Sequence, residues 1–457
     1  MGETIQPGLF GDDPQAGEAL AGATVEPAPV AGVRRVFWPN RTQIELHPRD
    51  LDSLLPEGHR ARLVWAWVER ADLSAIDASI RAVEGGSGRT AIVPEMLFAL
   101  WLYATLEGGS ALALARLTQA HDAYRWICGG VSVNYHTLAD FRSAHGEALD
   151  GLLTESVALL LAEGVVSLKR VAQDGVRVRA SAGAASFRRQ ATLEDWLQEA
   201  RTQLEALKGQ VEEDPGAVNR RRQAARERAA RERQERLERA LARLPEIKAK
   251  QGKPREEARV SSTDPEATVM KMGDGGFRPV YNAQFTADTA SQVIVGVEAA
   301  SVGTDSGPRT PMREHVEGRY GKHPEEWLVD GGYATHEQIE QAAAHTAVLS
   351  PVPKARDPET DPHARKDSDS AAVAAWRERM ATEEAKAIDP QRAATAECVN
   401  ALARQRGLTQ LRVRGRAKVR CVLLLHALAH NLMRTVALAP RLLGYGGGAP
   451  GQPVMAT

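Results

Sequence analysis

The stretch Val171-Ala172-Gln173-Asp174-Gly175-Val176-Arg177-Val178-Arg179 decides the fold. Val171, Gln173, Gly175 and Arg177 alternate with Ala172, Asp174, Val176 and Val178, and a period of two with valines predicts a β-strand. Asp174 falls in its middle. A carboxylate inside such a strand is costly to bury unless something pairs with it. A metal ion is one such partner; an ordinary salt-bridged aspartate is the plain alternative.

Downstream the same reading predicts strands at Val280–Thr286 and Val293–Ala299, with a turn through Asp288-Thr289-Ala290-Ser291 between them. A further strand, Trp327-Leu328-Val329-Asp330, stops at Gly331-Gly332 before a helix through His336, Ile339 and Ala342, and a fifth covers Ala347–Val352. A helical insertion separates the first two strands. Leu193, Trp196, Leu197, Ala200, Leu204, Leu207 and Val211 share one seam close to heptad spacing. Pro215-Gly216 breaks it, and Arg220–Leu244 returns as a second helix, so an antiparallel hairpin is expected.

Upstream, from Val33 to about Val166, the period is helical. Pro94 opens a helix whose Met96, Leu97, Leu100, Trp101 and Ala104 recur at three- and four-residue steps. Ser110 and Asn134 are candidate caps of later helices. Trp65, Trp67 and Trp101 are expected in the core of this segment. Residues 1–32 and 441–457, rich in Gly, Ala and Pro, read as a disordered leader and tail. The expected organisation is therefore an α+β multidomain chain: a helical domain at 33–166, then a mixed sheet flanked by helices at 167–440, with the insertion at about 190–256.

Composition bounds the function. Of 457 residues, 43% are hydrophobic and 26% charged, which excludes global disorder. The net charge of -1 offers no whole-chain signal for nucleic acid, so any such signal is local. Cys128, Cys398 and Cys421 lie far apart without a C-x-x-C, which excludes a disulfide scaffold and a cysteine zinc site and suits a reducing cytoplasm. The apolar stretch Val419–Met433 is broken by Arg420, His426, His430 and Asn431, so no membrane span is expected.

Two other carboxylates stand where chemistry usually stands. Asp330 ends an apolar strand, and ligands of α/β sheets gather at the carboxyl ends of strands. Glu397 lies in a helical stretch; Arg404 follows seven residues later on the same face, and Arg392 precedes it by five. Arginines bracketing a carboxylate suit a metal–phosphate site, and a solvated helix face is the alternative. Three hard oxygen ligands suit Mg²⁺ or Mn²⁺.

The segments 171–181, Asp274-Gly275-Gly276-Phe277-Arg278-Pro279-Val280-Tyr281-Asn282-Ala283-Gln284, Val329-Asp330-Gly331-Gly332-Tyr333 and Arg392–Gly407 together resemble those of DDE transposases of bacterial insertion sequences. Pro94-Glu95-Met96-Leu97 and Asn134-Tyr135-His136-Thr137-Leu138-Ala139-Asp140-Phe141-Arg142 resemble that family's helical domain, so the likeness spans roughly residues 35–437. It implies a ribonuclease-H-like catalytic domain with Asp174, Asp330 and Glu397 as metal-binding triad for two divalent ions. It implies nicking at terminal inverted repeats, then attack of the freed 3′-OH on target DNA, by a homodimer or higher oligomer on double-stranded DNA. Arg392 fills the family's arginine position and Arg404 its basic position. The tyrosine that many relatives carry nearby is absent; Asp389-Pro390 stands about there. A nuclease without strand transfer and an inactive, DNA-binding derivative are the rivals.

Local charge supplies the nucleic-acid signal. Arg404, Arg406, Arg412, Arg414, Arg416, Lys418 and Arg420 form a run with no acidic residue, which suits phosphate contacts. Arg188 and Arg189 follow the first strand within reach of a DNA backbone. Asn134, His136 and Arg142 suit base edges if their helix enters a groove, or else cap and solvate it. Between Arg220 and Arg239 nine arginines interleave with four glutamates, equally suited to DNA or to self-pairing. His426 and His430 have Ala427 where a zinc helix carries glutamate, and read as packed histidines. Gly273-Asp274-Gly275-Gly276 lacks the Lys-Ser/Thr pair of a phosphate loop and reads as a turn.

Overall fold

The computed structural model describes Thr42 and residues 48–80, 82, 90–213, 220–250, 258–301, 309–331, 335–355 and 359–444. The expected leader lies outside these residues, as does the expected tail beyond Gly444. The helical segment comprises α1 (Arg60–Val68), α2 (Ser74–Asp77), α3 (Pro94–Leu106), α4 (Ala111–Ala120), α5 (Asp122–Cys128), α6 (Tyr135–Ala144) and α7 (Gly146–Ala162). Every residue of α3 from Met96 to Leu106 is buried, as a helix apolar on all sides must be. Pro94 occupies its first turn. Ser110 accepts from the Ala113 N–H at 3.3 Å and Asn134 from the Thr137 N–H at 2.9 Å, so both expected caps form. The Trp101 indole lies buried, donating to the Leu138 carbonyl at 2.9 Å.

The sheet is built from β1 (Arg170–Arg179), then β4 (Thr268–Lys271), β5 (Phe277–Asp288), β6 (Ile294–Ala300), β7 (Glu326–Leu328) and β8 (Ala347–Leu349); β2 (Phe187–Arg188) and β3 (Val260–Ser261) form a separate short pair. β1 is central. It runs antiparallel to β5, from Val171 opposite Asp288 to Arg179 opposite Val280, and parallel to β7, with Ala172 opposite Leu328. β8 extends the sheet parallel to β7. β6 and the short β4 lie end to end along the far edge of β5, both antiparallel to it. The remaining helices are α8 (Gln190–Glu213), α9 (Arg220–Lys250), α10 (Arg309–Tyr320), α11 (His336–Ala342), α12 (Ala371–Ala381), α13 (Glu383–Arg392), α14 (Cys398–Gln405) and α15 (Arg416–Leu438). A helical segment followed by this mixed sheet with flanking helices is the expected ribonuclease-H-like architecture.

Sheet polarity is handled locally. Gln173 is buried on β1; its amide donates to Gln284 at 3.0 Å and accepts from the Trp327 indole at 3.1 Å. At Gly296 of β6 an added Cβ would lie 2.7 Å from the Met312 sulfur, so the glycine is what lets α10 close on the sheet. The outer edge of β6 is sealed by a side chain. Asn431 of α15 accepts from the Ile294 N–H and donates to the Ile294 carbonyl, both at 2.8 Å, standing in for a neighbouring strand.

α15 packs against α3, α6 and α7 as well as β6, so the helical segment and the sheet share one hydrophobic core. Its length and composition alone would allow a membrane crossing, but most of its apolar side chains are buried in that core. The two histidines expected to pack do so, His430 Nε2 meeting the Gln292 carbonyl at 2.8 Å.

The insertion is the expected hairpin. Leu193, Leu197 and Ala200 of α8 pack with Leu237, Ala240 and Leu244 of α9. α9 runs through Pro245 to Lys250, past the Leu244 limit read from the sequence. β2 and β3 close its base. Arg201 pairs with Glu238 at 3.0 Å and Arg233 with Glu199 at 3.4 Å, so part of the arginine excess is met between the two helices.

Candidate active site and DNA-facing residues

Asp174 is partly exposed near the middle of β1. One carboxylate oxygen accepts from the Gly175 N–H at 2.7 Å, and the other from the Asn400 amide at 3.0 Å. Asp330 lies two residues beyond the last β7 couple, Leu328 opposite Ala172, and the same two-residue step leads from Ala172 to Asp174. β7 ends at Leu328, and continuing its parallel register by that step would bring the two aspartates side by side on one face. The backbone around Asp330 is pinned by the Val329 N–H on the Leu349 carbonyl at 3.0 Å and the Ser350 hydroxyl on its own carbonyl at 3.2 Å. Its side chain is exposed. Gly332 and Tyr333, quoted with it above, lie outside the described residues.

Glu397 ends a five-residue π-helical turn, Ala393–Glu397, between α13 and α14. Such turns are rare and concentrate at functional sites. Both this turn and α14 pack on β1 and β5. Asn400 follows Glu397 by three residues, a spacing that shares a helix face, and Asn400 is the residue that touches Asp174. Glu397 itself is exposed. Among the described residues no three His, Cys, Asp or Glu side chains are drawn close enough to hold a metal ion.

Arg392 is partly buried, its Nε without a hydrogen bond and 4.0 Å from Asp389. Arg404 is exposed and lines a cleft of about 390 Å³ with Gly175, Arg177, Met272 and Gly273, next to Asp174 in the chain. The Met272 N–H bonds the Gly276 carbonyl at 2.7 Å, so the glycine run there is the turn expected.

The basic run divides. Arg404, Arg412, Arg414, Arg416 and Lys418 are exposed. Arg414 Nε donates to the Ser181 carbonyl at 3.2 Å, tying the run to the end of β1. Arg420 turns inward to Asp150 at 2.7 Å, beside Arg319 on the same carboxylate. The start of α15 is capped by acids: Asp264 accepts from the Gly415 N–H at 3.2 Å and Glu266 from the Arg416 N–H at 2.8 Å. Burial pushes the Asp264 carboxyl above its usual range, against the Tyr281 hydroxyl that donates to it. Sequence alone made these seven cations equivalent; the fold makes Arg420 an internal anchor and Arg416 a neighbour of Glu266.

Arg188 stacks over Trp196, 5.2 Å from its ring centre, and Arg189 is exposed. On α6, Asn134 serves as the cap, while His136 is exposed against Tyr135. Arg142 is turned away from the surface of that helix, over the Trp101 ring at 5.0 Å. Asn400, Arg177 and Arg179 had no role in the reading of the sequence, and Arg406 figured there only as one member of the basic run. Only the packing of α14 and the following loop on β1 singles them out.

Comparison with known families adds two matches. A Transposase DDE domain matches residues 356–436, which include Glu397 and the basic run, and a Transposase domain (DUF772) matches residues 49–144, most of the helical segment. The two matches support a DDE transposase of the insertion-sequence type. No curated protein and no solved structure matches it. The two matched segments leave out β1 with Asp174 and the loop with Asp330.

Proposed function

We propose that this transposase cuts and joins DNA ends with divalent metal held by Asp174, Asp330 and Glu397. The observation that carries the reading is the parallel β1–β7 register, which ends two residues short of Asp174 and of Asp330, with Asn400, one helical turn past Glu397, on the Asp174 carboxylate. The donor set fits Mg²⁺ or Mn²⁺. It is all oxygen, and the Asn400 Oδ1 is a buried acceptor with no partner on the amide that holds Asp174. Two such ions, when bound, activate the attacking oxygen and stabilise the departing one.

The chain's own residues do the rest. Asn400 orients Asp174. Arg404 and Arg177, at the cleft beside Gly175, meet the charge of a phosphate brought there. Arg412, Arg414 and Lys418 follow the backbone of the same duplex, with Arg416 beside them, and Arg392, Arg188 and Arg189 flank it. Asn134 and His136 stand at the exposed start of α6, where a groove can be met. Phosphate contacts position the DNA and carry no sequence code, so recognition of the terminal repeat is assigned to this helical segment. Catalysis on two DNA ends calls for a dimer or higher oligomer.

A second reading, DNA binding without cleavage, is favoured by Asp389-Pro390 standing where many relatives carry tyrosine. One experiment separates the readings. The purified protein is incubated with its element's end DNA and Mg²⁺, and the products are mapped. Joined strands support transposition, nicked ends alone support a nuclease, and unaltered but bound DNA supports the second reading.

A further inference from the structure

A second cleft, of about 300 Å³, opens where the helical segment meets the loop after α14. Trp101, Arg142, Arg179, Arg406, Arg412 and His426 line it, and among the described residues lining it none is acidic. Its floor is a backbone crossing. Gly407, at φ +87°, would bring an added Cβ to 3.4 Å from the Gly108 backbone, itself at φ +73°. Two glycines in the left-handed region let the turns after α3 and α14 touch, and this holds Arg406 against the helical segment.

The four arginines have no carboxylate partner among the described residues, although other arginines of the chain commonly do. Glu107, next to Gly108, pairs instead with Arg60 at 2.9 Å. Burial, and then the charge of Arg412, makes Arg142 easier to deprotonate than an ordinary arginine; burial and then Arg60 does the same to Arg406. The Nε of Arg142 and the Nδ1 of His426 are buried without hydrogen-bond partners. Cations gathered against their own repulsion, with donors left over, call for an anion.

We infer that this cleft is a phosphate-binding subsite that takes a phosphate monoester, with Arg142, Arg406 and Arg412 as its principal ligands. Guanidinium forks match phosphate oxygens, and a monoester carries close to two negative charges at neutral pH against one for a diester. Arg179 lies five residues along β1 from Asp174, roughly 16 Å on strand geometry. The phosphate held here is therefore a second one, not the one under attack. On the DNA-cutting reading, which this inference deepens, hydrolysis adds the water oxygen to phosphorus and breaks the P–O3′ bond. The proton goes to the 3′ oxygen, and the phosphate stays on the 5′ end. Such a 5′-phosphate end and free phosphate are the two sources of the required group.

The test uses the full chain and two probes without metal. Inorganic phosphate, against chloride at matched ionic strength, should raise the melting temperature by roughly 1–2 °C at tenfold excess over Kd. Duplexes with a 5′-phosphate should bind about tenfold more tightly than the same duplexes with a 5′-hydroxyl, a gap equivalent to one bidentate charge-assisted contact. Both effects should vanish in Arg406→Gln and in Arg412→Gln; Arg412 is exposed, so that variant keeps its fold. A phosphate shift lost in the variants without a 5′-phosphate preference assigns free phosphate as the source. Absence of both effects in the wild type, or their survival in both variants, overturns the subsite. DNA binding that persists without either effect leaves the function proposed above untouched, whereas a phosphate shift with no DNA binding would count against that function and not against the subsite.

Discussion

Asn400 donates to the Asp174 carboxylate at 3.0 Å and so sets its orientation. Residues that orient a ligand typically change activity by about 10–100-fold, so Asn400→Ala should slow cleavage by that order while end binding, read by gel shift, stays unchanged. An unaltered rate would contradict its role. The histidines make a separate prediction. Burial, and then the positive charge of Arg406, holds His426 down at about 3; burial likewise holds His430 down at about 4. In the unfolded chain both return to the ordinary value of 6.5. The unfolded state therefore binds more protons below that value, and stability present above it is lost as pH falls toward the folded values. Melting temperature should drop on acidification from about pH 7 to pH 4, and His426→Leu should flatten part of that drop; an equally steep drop in the variant would contradict it. At this scale Asp174 was legible because a charge in a valine-rich strand needs explaining. Asn400 and Arg179 were not, because nothing in their neighbourhood of sequence marks them, and the Asp174 that Asn400 touches lies more than two hundred residues away.

The edge of β6 depends on one side chain. Replacing Asn431 by Leu removes both hydrogen bonds to Ile294 and leaves a buried N–H and carbonyl unmet, which should cost about 2–4 kcal/mol. Urea unfolding measures this, and a loss under about 0.5 kcal/mol would mean that water or another group replaces the amide. The long elements were readable from periodicity and caps: α3 from its apolar steps after Pro94, β1 from its alternating valines, the hairpin from its leucine seam. β2, β3 and β4 were not, because two to four residues are too few to show a period. The π turn before Glu397 was invisible for another reason. Its residues, Ala393-Ala394-Thr395-Ala396-Glu397, carry an ordinary helical sequence, and what distinguishes them is their packing on β1 and β5.

Across the whole molecule, α15 joins what the sequence divided. The boundary near 166 followed a real change of period, yet α3, α6 and α7 complete their burial against a helix some 250 residues later. A fragment of residues 33–166 should therefore expose that apolar surface and fail to melt cooperatively, and adding the 416–438 helix should restore a transition. A cooperative transition in the bare fragment would show an independent domain. DNA affinity of the intact chain should fall with salt by about 0.9 log units per phosphate contact for each tenfold rise in salt, and neutralising Arg412 and Arg414 should make that slope shallower. A slope unmoved by those changes would take the basic run off the duplex. The central claim is that Asp174, Asp330 and Glu397, from β1, the end of β7 and the π turn, form one catalytic centre. Its most direct test is Mn²⁺-dependent cleavage of end DNA by Asp174→Ala, Asp330→Ala and Glu397→Ala, with end binding measured on the same preparations. Each variant should lose cleavage and keep its binding; full cleavage by any one of them would remove that residue from the centre and contradict the account.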